Sequence, residues 1–151
     1  MDRDDTLDTL NNLIETAKDG EYGFRTSAEH LRSPDIKQSF MRRAEECRAA
    51  AAELQTLVLG LGGDAETSGS ASGAMHRGWV AVKGTLSGYS EKAILEETER
   101  GEDIALSAYR SALDETLSPE VRNVIERQFE GVKRNHLQVR TLRDQARTAD
   151  A

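Results

Sequence analysis

Apolar residues recur every three or four positions along four stretches of the chain, and this spacing predicts four amphipathic helices. The four apolar stripes fall within residues 7–31, 36–58, 94–112 and 121–142. Short breaks separate the first stripe from the second and the third from the fourth, whereas a long connection separates the two pairs. The pattern therefore predicts an all-α protein, an up-down-down-up, ferritin-like four-helix bundle of two hairpins joined by one crossover.

Helix starts can be read from residues that favour the first turn. Ser33-Pro34 and Ser118-Pro119 precede the second and fourth stripes, and serine as N-cap with proline as first helical residue is a common start. For the first helix we predict a cap at Thr6 or Asp8 and an end near Arg32.

The predicted crossover covers about residues 60–90, begins with glycines and continues in small and polar residues. Within it, helical spacing of Met75, Trp79, Val82 and Leu86 predicts a short crossing helix. We interpret Trp79 as an anchor against the bundle. His76 and Arg77 have two interpretations, a helix cap and a small anion or cofactor site beside the Gly-rich loop.

Composition excludes several classes of function. A length of 151 residues predicts one domain, 1–151, and 27 acidic against 20 basic residues argue against a nucleic-acid partner. We expect no membrane span, because no stretch approaches the roughly 20 apolar residues that one requires. The single cysteine, Cys47, excludes an intramolecular disulfide, and we expect a cytoplasmic location.

Four polar side chains lie on or beside the apolar stripes, one on each helix: Glu21, Glu53, Glu102 and His136. A carboxylate buried alone loses several kcal/mol of hydration unless it is paired, protonated or bound to a cation. Glutamate and histidine suit iron, manganese or zinc, and four-helix bundles bring such ligands together in their core. We therefore predict a transition-metal site from these four residues.

An alternative interpretation leaves these side chains at the edges of the stripes, where the glutamates reach water and His136 makes an interhelical hydrogen bond. The absence of a Glu-x-x-His motif argues against a dinuclear centre, since Glu130 precedes His136 by six residues and points elsewhere. No nucleophile-base-orienter triad can be built, so we predict no catalytic residues and incline against an enzyme.

A duplication is suggested by Gly20-Glu21 and Gly101-Glu102, which occupy equivalent places in the first and third stripes, 81 residues apart. The second helix also carries more alanines than one inward stripe requires: Ala44, Ala49, Ala50, Ala51 and Ala52. A second helix face of small residues allows close approach by another copy, and we predict a homodimer. The alternative is a solvated face, because charged residues share this helix.

Four segments resemble the uncharacterised bacterial family with domain of unknown function 2383: LIETAKDGEYGF, GSASGAMHRGWVAVKGTLSG, LEETERGEDIALSAYRSAL and IERQFEGVKRNHLQVRTLRD. The resemblance covers about Leu7 to Asp144 and implies a ferritin-like fold and a role in metal or oxidative stress, without an established activity. On matching positions, the resemblance implies that Glu21, Glu102 and His136 are inward polar residues. It also implies a connector motif, which consists of His76, Arg77 and Trp79. Two functions stay open: a metal-binding bundle, and a non-catalytic scaffold that self-associates.

Overall fold

The computed structural model describes residues 2–67 and 91–150, with side chains through residue 145. These residues form four α-helices, which confirms the all-α prediction: α1 (Arg3–Ala28), α2 (Pro34–Gly60), α3 (Glu91–Leu113) and α4 (Pro119–Asp150). Most of the predicted crossover, with Met75, His76, Arg77 and Trp79, lies outside the described residues, and those predictions stay predictions.

The start of α1 differs from the prediction. Asp2 is the N-cap, because its carboxylate accepts a hydrogen bond of 2.8 Å from the backbone N–H of Asp5. Thr6 lies inside the helix, where its hydroxyl donates to the Asp2 carbonyl oxygen. The helix also ends at Ala28 rather than near Arg32, since the chain then tightens into a turn toward Pro34.

The two serine-proline starts are confirmed. Helix α2 begins at Pro34 with Ser33 as N-cap, and α4 begins at Pro119, where the Ser118 hydroxyl accepts from the backbone N–H of Val121 at 3.5 Å. The carboxylate of Glu91 at the start of α3 accepts hydrogen bonds from the backbone N–H groups of residues 32 and 33, which lie in the turn between α1 and α2. The α1–α2 turn and the start of α3 are thereby held together.

Each helix is antiparallel to both of its neighbours. The pairs that pack side by side are α1 with α2, α3 with α4, α1 with α3, and α2 with α4. Hydrogen bonds between α2 and α4 show the direction, because Glu53 near the end of α2 meets Gln128, whereas Arg43 earlier in α2 meets Gln138. This order is the predicted up-down-down-up arrangement. Among the described helices, none combines the length and apolar character that a bilayer span requires.

The apolar core is divided into two clusters, one toward each end of the bundle. The first cluster consists of Leu10, Leu13, Ile14, Leu54, Val58, Tyr109, Ala112, Leu117, Val121 and Ile125. The second consists of Phe24, Ala28, Leu31, Phe40, Ala44, Ile94, Leu95 and Val139. Between these two clusters the bundle centre holds small and polar residues, and this is where the buried charges lie.

Candidate functional site

Arg43 lies at the centre of the bundle and contacts all of the other three helices. Its guanidinium donates to Glu102 Oε2 on α3 at 3.2 Å and to Gln138 Oε1 on α4 at 2.6 Å. The same group lies 5.6 Å from the ring centroid of Phe24 on α1. Only 3% of the Arg43 side chain and 6% of the Glu102 side chain are exposed, so the two charges form a buried ion pair.

Burial shifts the pKa of both partners. It raises the pKa of Glu102 to about 8, although the nearby Arg43 charge lowers it, and it lowers the pKa of Arg43. Both shifts have the sign expected when the lost hydration of two charges exceeds their attraction. The second carboxylate oxygen, Glu102 Oε1, is buried and has no hydrogen-bond partner among the described residues. This side chain is therefore incompletely satisfied.

Glu53 belongs to a separate polar chain that links three helices. Tyr109 donates from its hydroxyl to Gln128 Oε1 at 2.7 Å, and Gln128 donates from Nε2 to Glu53 Oε1 at 2.7 Å. Arg127 binds the other oxygen of Glu53. Burial alone would raise the pKa of Glu53. The hydrogen bonds from Arg127 and Gln128 together lower it by more, so the net shift of the pKa is downward. Glu53 is an ionised link between α2 and α4.

Glu21 has its partners on its own helix. It pairs with Arg25 at 3.0 Å and with Lys18 at 3.9 Å, and 15% of its side chain is exposed. The three predicted core carboxylates therefore each lie beside a basic side chain: Glu21 beside Lys18 and Arg25, Glu53 beside Arg127, and Glu102 beside Arg43. Metal binding at these three residues stays a prediction.

His136 lies in a different group, on the face between α3 and α4. Its Nε2 is 2.6 Å from Asp103 Oδ1, and one ligand atom each from Glu99, Asp103 and His136 lie within 4.8 Å of one another. Arg143 pairs with Glu99 Oε1, whereas Glu99 Oε2 is buried without a hydrogen-bond partner among the described residues. Two carboxylates and one imidazole thus lie together, and one of the carboxylates has an unsatisfied oxygen.

The helix geometry explains this convergence. Glu99 and Asp103 are four residues apart on α3 and share one face, and the antiparallel register of α4 brings His136 against that face. Sequence reasoning missed both acids, although their spacing beside a predicted helix stripe was visible. It did not single out Arg43 either, although the spacing of Phe40, Arg43 and Cys47 places Arg43 on the inward side.

The donor set fits a divalent transition metal. An imidazole with two carboxylates suits zinc, iron or manganese. The unpartnered Glu99 Oε2 is an available lone-pair donor, and Arg143 on the other oxygen holds that carboxylate in place. Asp103 has 60% of its side chain exposed, so the group opens toward solvent.

Comparison with solved structures identifies the class of fold. The structure matches a chain described as "A Dodecameric Thioferritin in the Bacterial Domain, Characterization of the Bacterioferritin-Related Protein from Bacteroides fragilis" with a TM-score of 0.78. The match covers 99% of this chain and 91% of the other, at 16% sequence identity. The protein is thus a ferritin-like four-helix bundle, as predicted.

The family follows from the sequence comparison. The family described as Domain of unknown function (DUF2383) matches residues 5–115, and the chain belongs to it. This result confirms the resemblance noted in the sequence, over α1 to α3. No curated protein matches the chain.

Proposed function

We propose that the protein binds one divalent transition-metal ion between α3 and α4, through Glu99, Asp103 and His136. The observation that carries the proposal is the group of three ligand atoms, one from each residue, that lie within 4.8 Å of one another, together with the buried, unpartnered Oε2 of Glu99. A buried acceptor without a partner costs about 1–3 kcal/mol or more, and a bound cation would remove that cost. The ferritin-like fold supports the proposal at the level of fold alone.

The residues would divide the work as follows. His136 would bind through Nε2, and the two carboxylates would supply the negative charge that favours a divalent ion. When bound, such an ion supplies Lewis-acid chemistry at the positions left open to solvent, or redox chemistry if it is iron or manganese. Arg143 would orient Glu99 and limit the affinity, because it already neutralises part of that carboxylate's charge.

Calorimetric titration of the chelator-treated protein with Zn²⁺ and Mn²⁺ tests the site. We expect one ion to bind per chain. In Glu99→Gln and in His136→Gln the affinity for the ion should fall by at least about tenfold, because changing even a residue that only supports a metal ligand typically costs that much. Glu97→Gln is the matched control, because Glu97 lies on the same helix and pairs with Arg100 instead.

The same titration distinguishes the core site that the sequence predicted. If Glu21→Gln, Glu53→Gln or Glu102→Gln weakens binding while His136→Gln and Glu99→Gln leave it unchanged, the ion lies in the bundle core and the α3–α4 site is wrong. Absence of binding to the wild-type protein would leave the alternative function, a self-associating scaffold without metal chemistry.

We also propose that the protein forms homo-oligomers, with a dimer as the building unit. Met41, Ala52 and Leu59 lie on one exposed face of α2, with 43% of Met41 and 65% of Leu59 accessible. The Bacteroides fragilis protein is itself described as dodecameric. Light scattering decides the matter, because a mass near the 16.6 kDa of one chain would exclude a dimer.

The biological setting belongs to the same proposal. A role in metal or oxidative stress rests on the resemblance to the family, and a cytoplasmic location rests on the single cysteine and the acidic, polar sequence. We assign no catalytic residue.

A further inference from the structure

A cavity of about 520 Å³ lies in the bundle centre, between the two apolar clusters of the core. Its volume is in the range of small-molecule sites. Helix residues with little or no side chain border the space, and they come from all four helices: Ala17, Ala50, Gly101, Ala105 and Gly131. The cavity is therefore built into the sequence of every helix rather than into one loop.

The cavity borders the seam between α2 and α4. These two helices approach each other less closely than the other neighbouring pairs, and polar contacts join them at intervals. The joining pairs are Glu53 with Gln128, Glu46 with Asn135, and Arg43 with Gln138. In this register Ala50 falls opposite Gly131, between the first two pairs, and both residues line the cavity. The smallest side chains thus face each other across the seam.

One polar side chain of the cavity wall is left incompletely satisfied. Glu102 lines the cavity with 6% of its side chain exposed, and its Oε1 has no hydrogen-bond partner among the described residues. The hydroxyl of Tyr109, also in the wall, already donates to Gln128. Glu102 Oε1 is consequently the unpartnered polar atom that the wall offers to a guest molecule.

The charges around the cavity balance one another. Glu46 and Glu53 in the wall are matched by Arg127 and Arg134. A net charge on a guest would therefore be buried without a counter-charge, which is costly. The rest of the wall is mostly alanine, glycine and other apolar side chains, which favours an apolar body.

We propose that this cavity binds a neutral, mostly apolar small molecule that carries one hydroxyl group, which forms a hydrogen bond with Glu102 Oε1. Phenols and compact alcohols share this chemistry. The site is distinct from the metal group, because Glu99, Asp103 and His136 are absent from the cavity wall. Its failure would leave the proposed metal site untouched.

Two probes of matched shape test the proposal, 2-naphthol and 2-methylnaphthalene, with binding measured by ligand-detected NMR on the full chain. We expect the wild-type protein to bind 2-naphthol about tenfold more tightly, since a buried polar group left without its hydrogen-bond partner costs of order one tenfold step. Binding of neither probe at millimolar concentration, or equal binding of both, would overturn the proposal.

Two variants locate the binding. In Arg43→Met combined with Glu102→Leu, an apolar pair replaces the ion pair without leaving a buried charge, and the preference for 2-naphthol should disappear. In Ala105→Phe the added ring fills the cavity and should abolish binding of both probes. Ser111→Phe is the matched control at an exposed position of the same helix, outside the cavity wall, and should bind as the wild type does. A preference that persists in the double variant, or binding that persists in Ala105→Phe, would contradict the assignment.

Discussion

At the scale of single residues, Arg43 is a side chain of α2 that contacts each of the other three helices at the centre of the bundle. Its guanidinium holds Glu102, Gln138 and the face of Phe24 together, so one side chain fixes the relative positions of four helices. The shifts in pKa of Arg43 and Glu102 show that burial is costly for both charges. A buried ion pair of this kind positions the helices relative to one another without adding to the stability of the fold.

Loss of one partner should therefore cost much more than loss of both. Above the raised Glu102 pKa of about 8, where the carboxylate is ionised, we expect Glu102→Ala to lower the free energy of unfolding by about 3–5 kcal/mol, because it leaves Arg43 buried without its counter-charge. Arg43→Met with Glu102→Leu should lie within about 1 kcal/mol of the wild type or be more stable. Urea unfolding followed by circular dichroism measures both. A double variant as unstable as the single one would mean that the ion pair stabilises the fold.

The sequence indicated some of these residues and concealed others. Glu102 and His136 stood out because they interrupt apolar stripes. In the structure Glu102 forms the buried pair with Arg43, and His136 contacts Asp103. Arg43, Glu99 and Asp103 did not stand out, because charged residues surround them along the chain. Whether such a side chain turns inward depends on the register of the opposite helix, and that register is a tertiary property.

At the scale of helices, local signals were sufficient for most boundaries. The serine-proline starts and the glycines after α2 gave their positions within a residue or two, since they act through backbone geometry alone. The start of α1 was misplaced because its first turn is acidic and carries no apolar residue to mark it. Asp2 nevertheless supplies the hydrogen bond that the first turn requires.

Two neighbouring glycines at the end of α2 should respond differently to alanine. Gly62 has φ +78°, a conformation that costs other residues about 1–2 kcal/mol, so Gly62→Ala should destabilise by that amount. Gly60 lies in the helix with nothing within 4 Å of an added Cβ, so Gly60→Ala should be neutral or stabilise by up to about 1 kcal/mol. Melting temperatures of the two variants test this. Equal effects would show that backbone conformation at residue 62 is unimportant.

At the scale of the whole molecule, the topology could be predicted and the cavity could not. Short breaks within pairs and a long one between them were enough to order the helices. The alanines of α2 were interpreted as a surface for another copy. In the structure Ala44 and Ala51 are buried in the core, whereas Ala50 faces the cavity with Gly131 across the seam. Small residues opposite small residues leave space, and only the folded register reveals that they meet.

The division of the core has a consequence for how the chain folds. Each of the two apolar clusters takes residues from both hairpins, so neither hairpin alone can complete a cluster. Fragments as short as 1–67 and 91–151 also bury too little surface to be stable by themselves. We expect each fragment to be largely unstructured in isolation and to regain helicity when the two are mixed.

Stopped-flow circular dichroism can compare the refolding of the intact chain with the recovery of helicity in the mixed fragments. Refolding of the intact chain should be independent of protein concentration, whereas recovery of the mixed fragments should follow second-order kinetics. A fragment 1–67 that unfolds cooperatively by itself would contradict this interdependence. If the expectation holds, the covalent crossover converts an encounter between two partly folded partners into a unimolecular search, and its contribution is an effective concentration rather than a contact.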